Sequence, residues 1–266
     1  MKSVSYETFL KLIRETISEA KRTQDRRLRA FTNKITKSIM AIYSGRSPEL
    51  TYNQIGIEDL GVDPNTSAEN FYEIEAGLFP LSFDPDSIDL EEFEDGVDPF
   101  LTVVVEIDKN AEHFNVAGSD KSITGMSDIG IHVAIETPGN FKDSQMGMLR
   151  DEIANAVRHE LEHVTQGEES DQPGRAFGRD GKYYEFLYSP DDVSSNQAKY
   201  LLKPAEIPAH IRGYTQNSKS MGEFKAEVEN LLSGYIIQGL INSDEKALIF
   251  ETWVDWVLNN INRKGF

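Results

Sequence analysis

Hydrophobic residues recur at three- and four-residue steps along several stretches of the chain, and this spacing predicts amphipathic helices. Residues 5–43 are predicted to form one or two such helices, with a stripe made of Phe9, Ile13, Ile17, Leu28, Phe31, Ile35, Ile39 and Ile42. The same spacing predicts a helix of about six turns from Ser144 to Gln166. Two more helices are predicted over Met221–Ile241 and Ser243–Arg263.

Strands are predicted where apolar and polar residues alternate or where short apolar runs end at turn residues. These segments are Phe71–Phe83, Leu101–Ile107 and Ile129–Thr137, with a short aromatic strand around Lys182–Tyr188. Gly45–Asn65 and the acidic segment Asp84–Pro99 are predicted to be loops. Strands that precede a mostly helical remainder predict an α+β fold.

The predicted helix over 144–166 carries two histidines one turn apart, His159 and His163, with Glu160 directly after the first. Residues four apart lie on one helix face, so both imidazoles can bind the same metal ion. Zn²⁺ accepts neutral imidazole nitrogens and keeps a position for water at catalytic sites. Glu160 is then a candidate general base beside that water.

This HExxH pattern resembles the zincin metallopeptidases, and the resemblance covers about residues 100–215. It implies a zincin-like fold, in which a small mixed sheet packs on the HExxH helix beside a mostly helical C-terminal lobe and N-terminal helices. It also implies a zinc-dependent peptidase whose Glu160 takes the proton of the attacking water. A polypeptide is the expected substrate and Zn²⁺ the expected cofactor.

A catalytic zinc commonly has three protein ligands. By resemblance to the gluzincins, which take a glutamate from a second helix, Glu206 is expected to be the third ligand. Pro204 suits the first position of that helix, whereas Pro208 implies a later start or a kink. Glu185 is the alternative third ligand. The metzincin pattern, which extends HExxH to HExxHxxGxxH, is not matched, because Gln166 stands at the position of its glycine.

Oxyanion stabilisation needs a hydrogen-bond donor near the metal, and His210 is the preferred catalytic candidate, with Tyr214 as its alternative. Three tyrosines are expected to line the substrate groove or the core: Tyr183, Tyr184 and Tyr188. Zincins bind extended peptides along a sheet edge. Ile129–Thr137 or His113–Ala117 is expected to supply that edge.

One motif position departs from the usual zincin pattern, because Glu162 stands where an uncharged residue is common. Arg158 lies one turn before it, so the two side chains are expected to pair on the outer face of the helix.

Composition narrows the classes of function. The 266-residue chain has a formal net charge of −18 and no cysteine, which argues against nucleic acid as the main partner and excludes thiolate chemistry. No apolar run approaches a membrane span and no secretory signal stands at the N-terminus, so a cytoplasmic location is expected. The sequence on either side of the HExxH motif is unfamiliar, which is compatible with a phage-type member of the zincin superfamily. An alternative is a catalytically inactive zincin-fold structural or interaction protein.

Three regions are predicted: a basic N-terminal helical segment (1–46), a sheet-containing upper lobe that ends in the HExxH helix (47–166), and a helical lower lobe (167–266). Residues 1–46 hold 11 Lys and Arg against 4 Asp and Glu. Their apolar stripe predicts that the segment packs onto the rest of the fold. It is expected to act as a buttress or as a removable segment lying across the cleft.

Overall fold

The structure is a computed structural model that describes residues 6–55, 70–78, 100–120, 129–164, 175–178, 182–185 and 193–261. Side chains of the N-terminal helix are described from Asp25 onward. The helices are α1 (Tyr6–Tyr43), α2 (Met146–Val164), α3 (Asn196–Leu201), α4 (Glu206–Thr215), α5 (Met221–Ile237) and α6 (Ser243–Asn260). The strands are β1 (Tyr52–Ile55), β2 (Asn70–Leu78), β3 (Phe100–Asp108), β4 (Asn115–Asp120), β5 (Ile129–Glu136), β6 (Arg175–Gly178) and β7 (Lys182–Glu185).

Five strands form one mixed sheet in the order β1-β2-β3-β5-β4. Only the central pair, β3 and β5, is parallel, and the other three pairs are antiparallel. The predicted α+β class and the predicted mixed sheet are therefore confirmed. Strands β6 and β7 form a separate two-stranded sheet.

The sheet, α1 and α2 share one hydrophobic core. Alternate residues of β3 and β5 point into it, as the period of two requires: Leu101, Val103, Val105, Ile107, Ile131, Val133 and Ile135. From α1 the core receives Leu28, Ile35 and Ile39, which are fully buried. The prediction that the N-terminal stripe packs onto the fold is thus confirmed from Leu28 onward, and residues 6–43 form one helix rather than two. Phe9, Ile13 and Ile17 lie outside the described side chains.

A second hydrophobic core joins α3, α4, α5 and α6. Its centre is Trp253 of α6, which is fully buried and donates a hydrogen bond from Nε1 to the carbonyl of Leu201 at 3.1 Å. Phe224 and Val228 of α5 and Ile211 of α4 complete the buried group. The described chain from Asn196 to Asn260 is therefore mostly helical, and the two predicted C-terminal helices are present as α5 and α6.

Three local features differ from the sequence prediction. Strand β1 lies inside Gly45–Asn65, which was predicted as a loop. Most of its residues are exposed, so no alternation of apolar and polar residues marks it as a strand. Helix α3 was not predicted, since six residues are too few for a periodic signal. Helix α2 begins at Met146 after a 3₁₀ turn over Asp143–Gln145, two residues beyond the expected start.

Helix α4 begins at Glu206, so the expected first position at Pro204 lies in the turn that precedes it. The backbone N–H of Ile207 already bonds to the carbonyl of Lys203 at 3.1 Å. Pro208 has no N–H for the next such bond. The chain therefore winds helically from Pro204, but regular helix bonding starts only at Glu206.

None of the described helices is both long enough and apolar enough to cross a membrane.

Glu245 ties the start of α6 to the start of α3. Its carboxylate accepts hydrogen bonds from the backbone N–H groups of Ser194, Ser195 and Asn242 at 2.9–3.0 Å. Burial raises the pKa of Glu245, but these bonds outweigh it and hold the pKa at about 2. Because the folded pKa lies below the unfolded value, the stabilisation is complete above about pH 4.5 and is lost as the pH falls toward 2.

We expect Glu245→Gln to lower the free energy of unfolding by about 2 kcal/mol at pH 7, since charged acceptors make the stronger bonds. The difference between wild type and variant should shrink steadily between pH 5 and pH 3 in urea denaturation. Glu251→Gln, on the exposed side of the same helix, is the matched control and should have little effect. A difference that does not change with pH would contradict the assignment of the stabilisation to the charge.

Candidate metal centre

Helix α2 holds both motif histidines on the side that faces α4. Its buried apolar face packs into the first core through Leu149, Ile153, Val157 and Leu161, which fixes the rotation of the helix. The side chains of His159 and His163 are 12 % and 15 % exposed. Their Nε2 atoms lie 3.0 Å apart, so the two nitrogens already converge on one point.

Glu206, the first residue of α4, completes this group. Its Oε2 atom lies 3.4 Å from Nε2 of His159 and 3.4 Å from Nε2 of His163. Among the described residues, His159, His163 and Glu206 are the one set of three His, Asp or Glu side chains close enough to hold a metal ion. The structure thus brings together the three ligands expected from the sequence.

The electrostatics of this group favour a bound cation. Burial raises the pKa of Glu206, but the polar contacts from His159 and His163 outweigh it and hold the pKa well below its usual range. Burial lowers the pKa of His159, which keeps that imidazole neutral at pH 7. The buried Oε2 of Glu206 accepts no hydrogen bond from the described residues. An ionised buried carboxylate needs a positive partner, and a divalent cation bound by these three residues would supply it.

The donor set also fits zinc better than a hard cation. Two imidazole nitrogens and one carboxylate oxygen are a known set for catalytic zinc, which leaves a fourth position for water or substrate. Mg²⁺ and Ca²⁺ prefer oxygen ligands throughout.

Glu160 lies beside the three residues of this group and packs against strand β4. Its side chain is 6 % exposed, and Oε1 lies 3.9 Å from Nε2 of His159. A Cβ atom added at Gly118 of β4 would come within 2.5 Å of Oε1 and 2.7 Å of Cγ of Glu160. A side chain at position 118 would therefore occupy the volume that the carboxylate needs.

Strand β4 is the last strand of the five-stranded sheet, whereas β5 is enclosed between β3 and β4. Of the two expected edge segments, His113–Ala117 is thus the one that overlaps the edge strand beside α2. Ile129–Thr137 is interior, so that alternative is wrong. The sequence could not decide between them because both segments alternate in polarity.

His210 lies one turn after Glu206 on α4, with its Nε2 atom 3.8 Å from Oε2 of Glu206. Its ring stacks on Trp253 with centroids 5.2 Å apart and meets His159 edge-on at 4.4 Å. Burial lowers the pKa of His210 well below its usual value, so the ring is neutral at pH 7. Nε2 has no hydrogen-bond partner among the described residues.

Tyr200 at the end of α3 is a site residue that the sequence analysis did not identify. Its ring lies edge-on to His210 with centroids 5.6 Å apart. Burial raises the pKa of Tyr200 far above its usual value, and the carboxylates of Glu206 and Glu160 raise it further. The hydroxyl therefore stays protonated and lies near both carboxylates. Its position in a short helix held by Trp253 is a tertiary effect, with no signal in the local sequence.

The remaining candidates lie elsewhere or outside the described side chains. Tyr214 packs against Trp253, with ring centroids 6.3 Å apart, and the carboxylates that influence its pKa after burial are Glu152 and Glu227. Glu185 ends strand β7, as the predicted aromatic strand implies, with its backbone paired to Arg175. The side chains of Glu185, Tyr183 and Tyr184 lie outside the described part of the chain, as does residue Tyr188.

The pair formed by Arg158 and Glu162 was expected on the outer face of α2, and this expectation is wrong. The two side chains do pair, with NH1 of Arg158 2.8 Å from Oε2 of Glu162, but they are only 1 % and 5 % exposed. The face that carries Arg158 and Glu162 lies beside the histidines and is covered by α1, whose Asp25 also pairs with Arg158; the helical pattern of α2 alone does not reveal this contact.

Comparisons of the chain with protein-family models, with curated proteins and with solved structures give no match. The chemical interpretation of the site therefore depends on the geometry of its own residues.

We expect Glu206→Ala to lower zinc content as much as His163→Ala does, because each removes one of three converging ligands. Wild type should hold about one zinc per chain after dialysis against metal-free buffer, measured by atomic emission. Glu185→Ala serves as the control and should retain zinc. Loss of zinc from Glu185→Ala but not from Glu206→Ala would show that the third ligand is Glu185, on strand β7, and not Glu206.

Proposed function

We propose that the protein is a zinc-dependent peptidase similar in plan to the gluzincins. The observation that carries the proposal is the convergence of His159, His163 and Glu206 from two helices, with Glu160 on the same helix as the histidines and beside an edge strand. A ligand group alone would fit a structural metal site. A carboxylate held next to that group by a separate strand is what a hydrolytic site requires.

His159, His163 and Glu206 would hold the zinc ion. When bound, it would polarise the scissile carbonyl and make a coordinated water more acidic.

Glu160 acts as general base in this proposal. It accepts a proton from the attacking water as the new carbon–oxygen bond forms, and it then donates that proton to the departing amine nitrogen as the carbon–nitrogen bond breaks. Its burial against β4 supports the role, because a carboxylate locked between a helix and a strand keeps one orientation toward the site.

His210 and Tyr200 supply the donors for the oxyanion. The imidazole of His210 and the hydroxyl of Tyr200 are both uncharged at pH 7. Both lie on the side of the ligand group formed by α3, α4 and α6. His210 carries a buried Nε2 that makes no hydrogen bond with described residues, so in the tautomer with its proton on Nε2 the ring can donate to a substrate oxygen. Trp253 orients both donors, since it stacks on His210 and binds the carbonyl next to Tyr200.

Strand β4 offers the route for a polypeptide substrate. Its hydrogen-bonding edge away from β5 carries no paired strand among the described residues. An extended peptide that adds to this edge would pass Gly118 and bring its carbonyl groups close to Glu160.

We expect Glu160→Gln to keep its zinc and to lose 10²- to 10⁴-fold in peptide hydrolysis, roughly the contribution of a general base. The test is cleavage of an unbiased peptide library, followed by mass spectrometry, together with zinc content. If wild type binds zinc but cleaves no peptide, the protein is instead an inactive zincin-fold interaction protein.

We expect Gly118→Ala to reduce turnover by about 10²-fold, because the added methyl displaces the Glu160 carboxylate and small misplacements of a catalytic group are costly. Zinc content should be unchanged, since the three atoms nearest to a Cβ at Gly118 all belong to Glu160, which is not one of the three proposed ligands. Gly147→Ala is the matched control, because a Cβ there meets no atom within 4 Å. Equal turnover in the two alanine variants would contradict the role given to Gly118.

A further inference from the structure

A buried group of charges joins α1 to the two helices that carry the metal ligands. Asp25 of α1 is its centre, with 17 % of the side chain exposed. Its Oδ1 atom accepts hydrogen bonds from NH2 of Arg158 at 3.1 Å and from NH1 of Arg212 at 3.2 Å. Its Oδ2 atom accepts from Nε of Arg29 at 3.2 Å. One carboxylate therefore binds arginines from α1, α2 and α4.

Arg158 and Arg212 lie on the two helices that carry the proposed ligands. Arg158 directly precedes His159 on α2, and Arg212 lies on α4, which begins with Glu206. Both guanidinium groups reach the same oxygen atom of Asp25, so the two positive charges lie close together. Like charges this close together repel each other. The negative charge of Asp25 offsets this repulsion and binds both guanidinium groups, so Asp25 forms a bridge between α2 and α4.

Arg158 and Arg212 depend on Asp25 for their charge balance. Among the described residues, Arg212 makes its one ion pair with Asp25, and Arg158 pairs with Asp25 and Glu162. Without the charge of Asp25, Arg212 would lose that pair, and the almost fully buried Arg158 would keep only Glu162 among the described residues. A buried charge without its partner is strongly unfavourable, so α2 and α4 would move apart or admit water.

The position of Asp25 along the contact between α2 and α4 determines how a separation of the two helices would affect the metal ligands. At one end of the α2–α4 contact, a Cβ on Gly213 would lie 2.9 Å from the carbonyl oxygen of Asn155, and Asn217 donates to the carbonyl of Asp151. At the other end lie His159, His163 and Glu206. Asp25 binds between these two ends. Opening at the bridge would therefore change the angle between the helices and the spacing of the ligands.

We propose that Asp25 is a positioning residue for the metal centre, through which helix α1 sets the affinity for zinc. The inference rests on the proposed metal site. It gives the N-terminal helix a role beyond its apolar packing: α1 clamps α2 and α4 at the spacing that the ligands need. Zinc binding and docking of α1 then stabilise each other, because coupling between two sites is reciprocal.

The test uses the full chain with Asp25→Asn, which keeps the size of the side chain and removes its charge. We expect zinc affinity, measured by competition with a chromogenic chelator, to fall about tenfold, as for other groups that support metal ligands. The visible absorption of the Co²⁺-substituted protein should also change, because the ligand geometry changes. Asp151→Asn is the matched control: its carboxylate lies on α2 and, among the described ion pairs, faces only the exposed Arg150, so affinity and spectrum should match wild type.

A double-mutant cycle separates clamping from a general loss of stability. Arg212→Gln removes the α4 end of the bridge, so Asp25→Asn should weaken zinc binding less in that background than in wild type. Unchanged affinity in Asp25→Asn, or independent effects of the two substitutions, would overturn the inference while the zinc site stands. If Asp25→Asn does not fold, Arg212→Gln alone decides, and wild-type affinity in that variant overturns the inference. A wild-type protein that binds no zinc would defeat the metal site and the clamp together.

Discussion

The close crossing of α2 and α4 is the constraint on which the site depends. At Gly213 the two backbones approach so closely that a Cβ would lie 2.9 Å from the carbonyl oxygen of Asn155. Glycine is required there because any side chain would force the helices apart. Since helices are stiff, this contact also limits their separation farther along, where Glu206 comes within 3.4 Å of both histidines. The ligand spacing is thus a consequence of helix packing.

Each of the two helices owes its orientation to a different core. The apolar face of α2 is buried with the sheet and α1, whereas α4 is buried with α3, α5 and α6. The group of His159, His163 and Glu206 lies where these two cores meet. Clefts between packed units are common places for binding sites, because polar side chains can converge there without disrupting either core. His210, stacked on Trp253, belongs to the second core, and Glu160, packed on β4, belongs to the first.

The sequence predicted the local part of this arrangement and missed the long-range part. The spacing of His159 and His163 is enough to place both rings on one helix face, because helix geometry is regular. Glu206 was expected only through resemblance, since 43 residues separate it from His163 and their proximity depends on how α4 folds back. Tyr200 gave no signal, because Trp253 positions it from 53 residues away. Strand β1 was missed for a related reason: its exposed residues have no alternating pattern.

Residues whose type is unusual for their position, such as buried charges and a glycine inside a strand, are concentrated around the three proposed ligands. Arg158 and Glu162 are charged residues buried on the helix of the two histidines, Gly118 is a glycine inside strand β4, and Asp25 is an α1 carboxylate that binds arginines of α2 and α4. A core selected only for stability would replace a buried ion pair with apolar side chains at little cost. Such departures are expected at functional sites, where geometry is held at the expense of local preference. Their concentration on α1, α2 and β4, close to one histidine pair, is therefore an argument for function that does not depend on the motif itself.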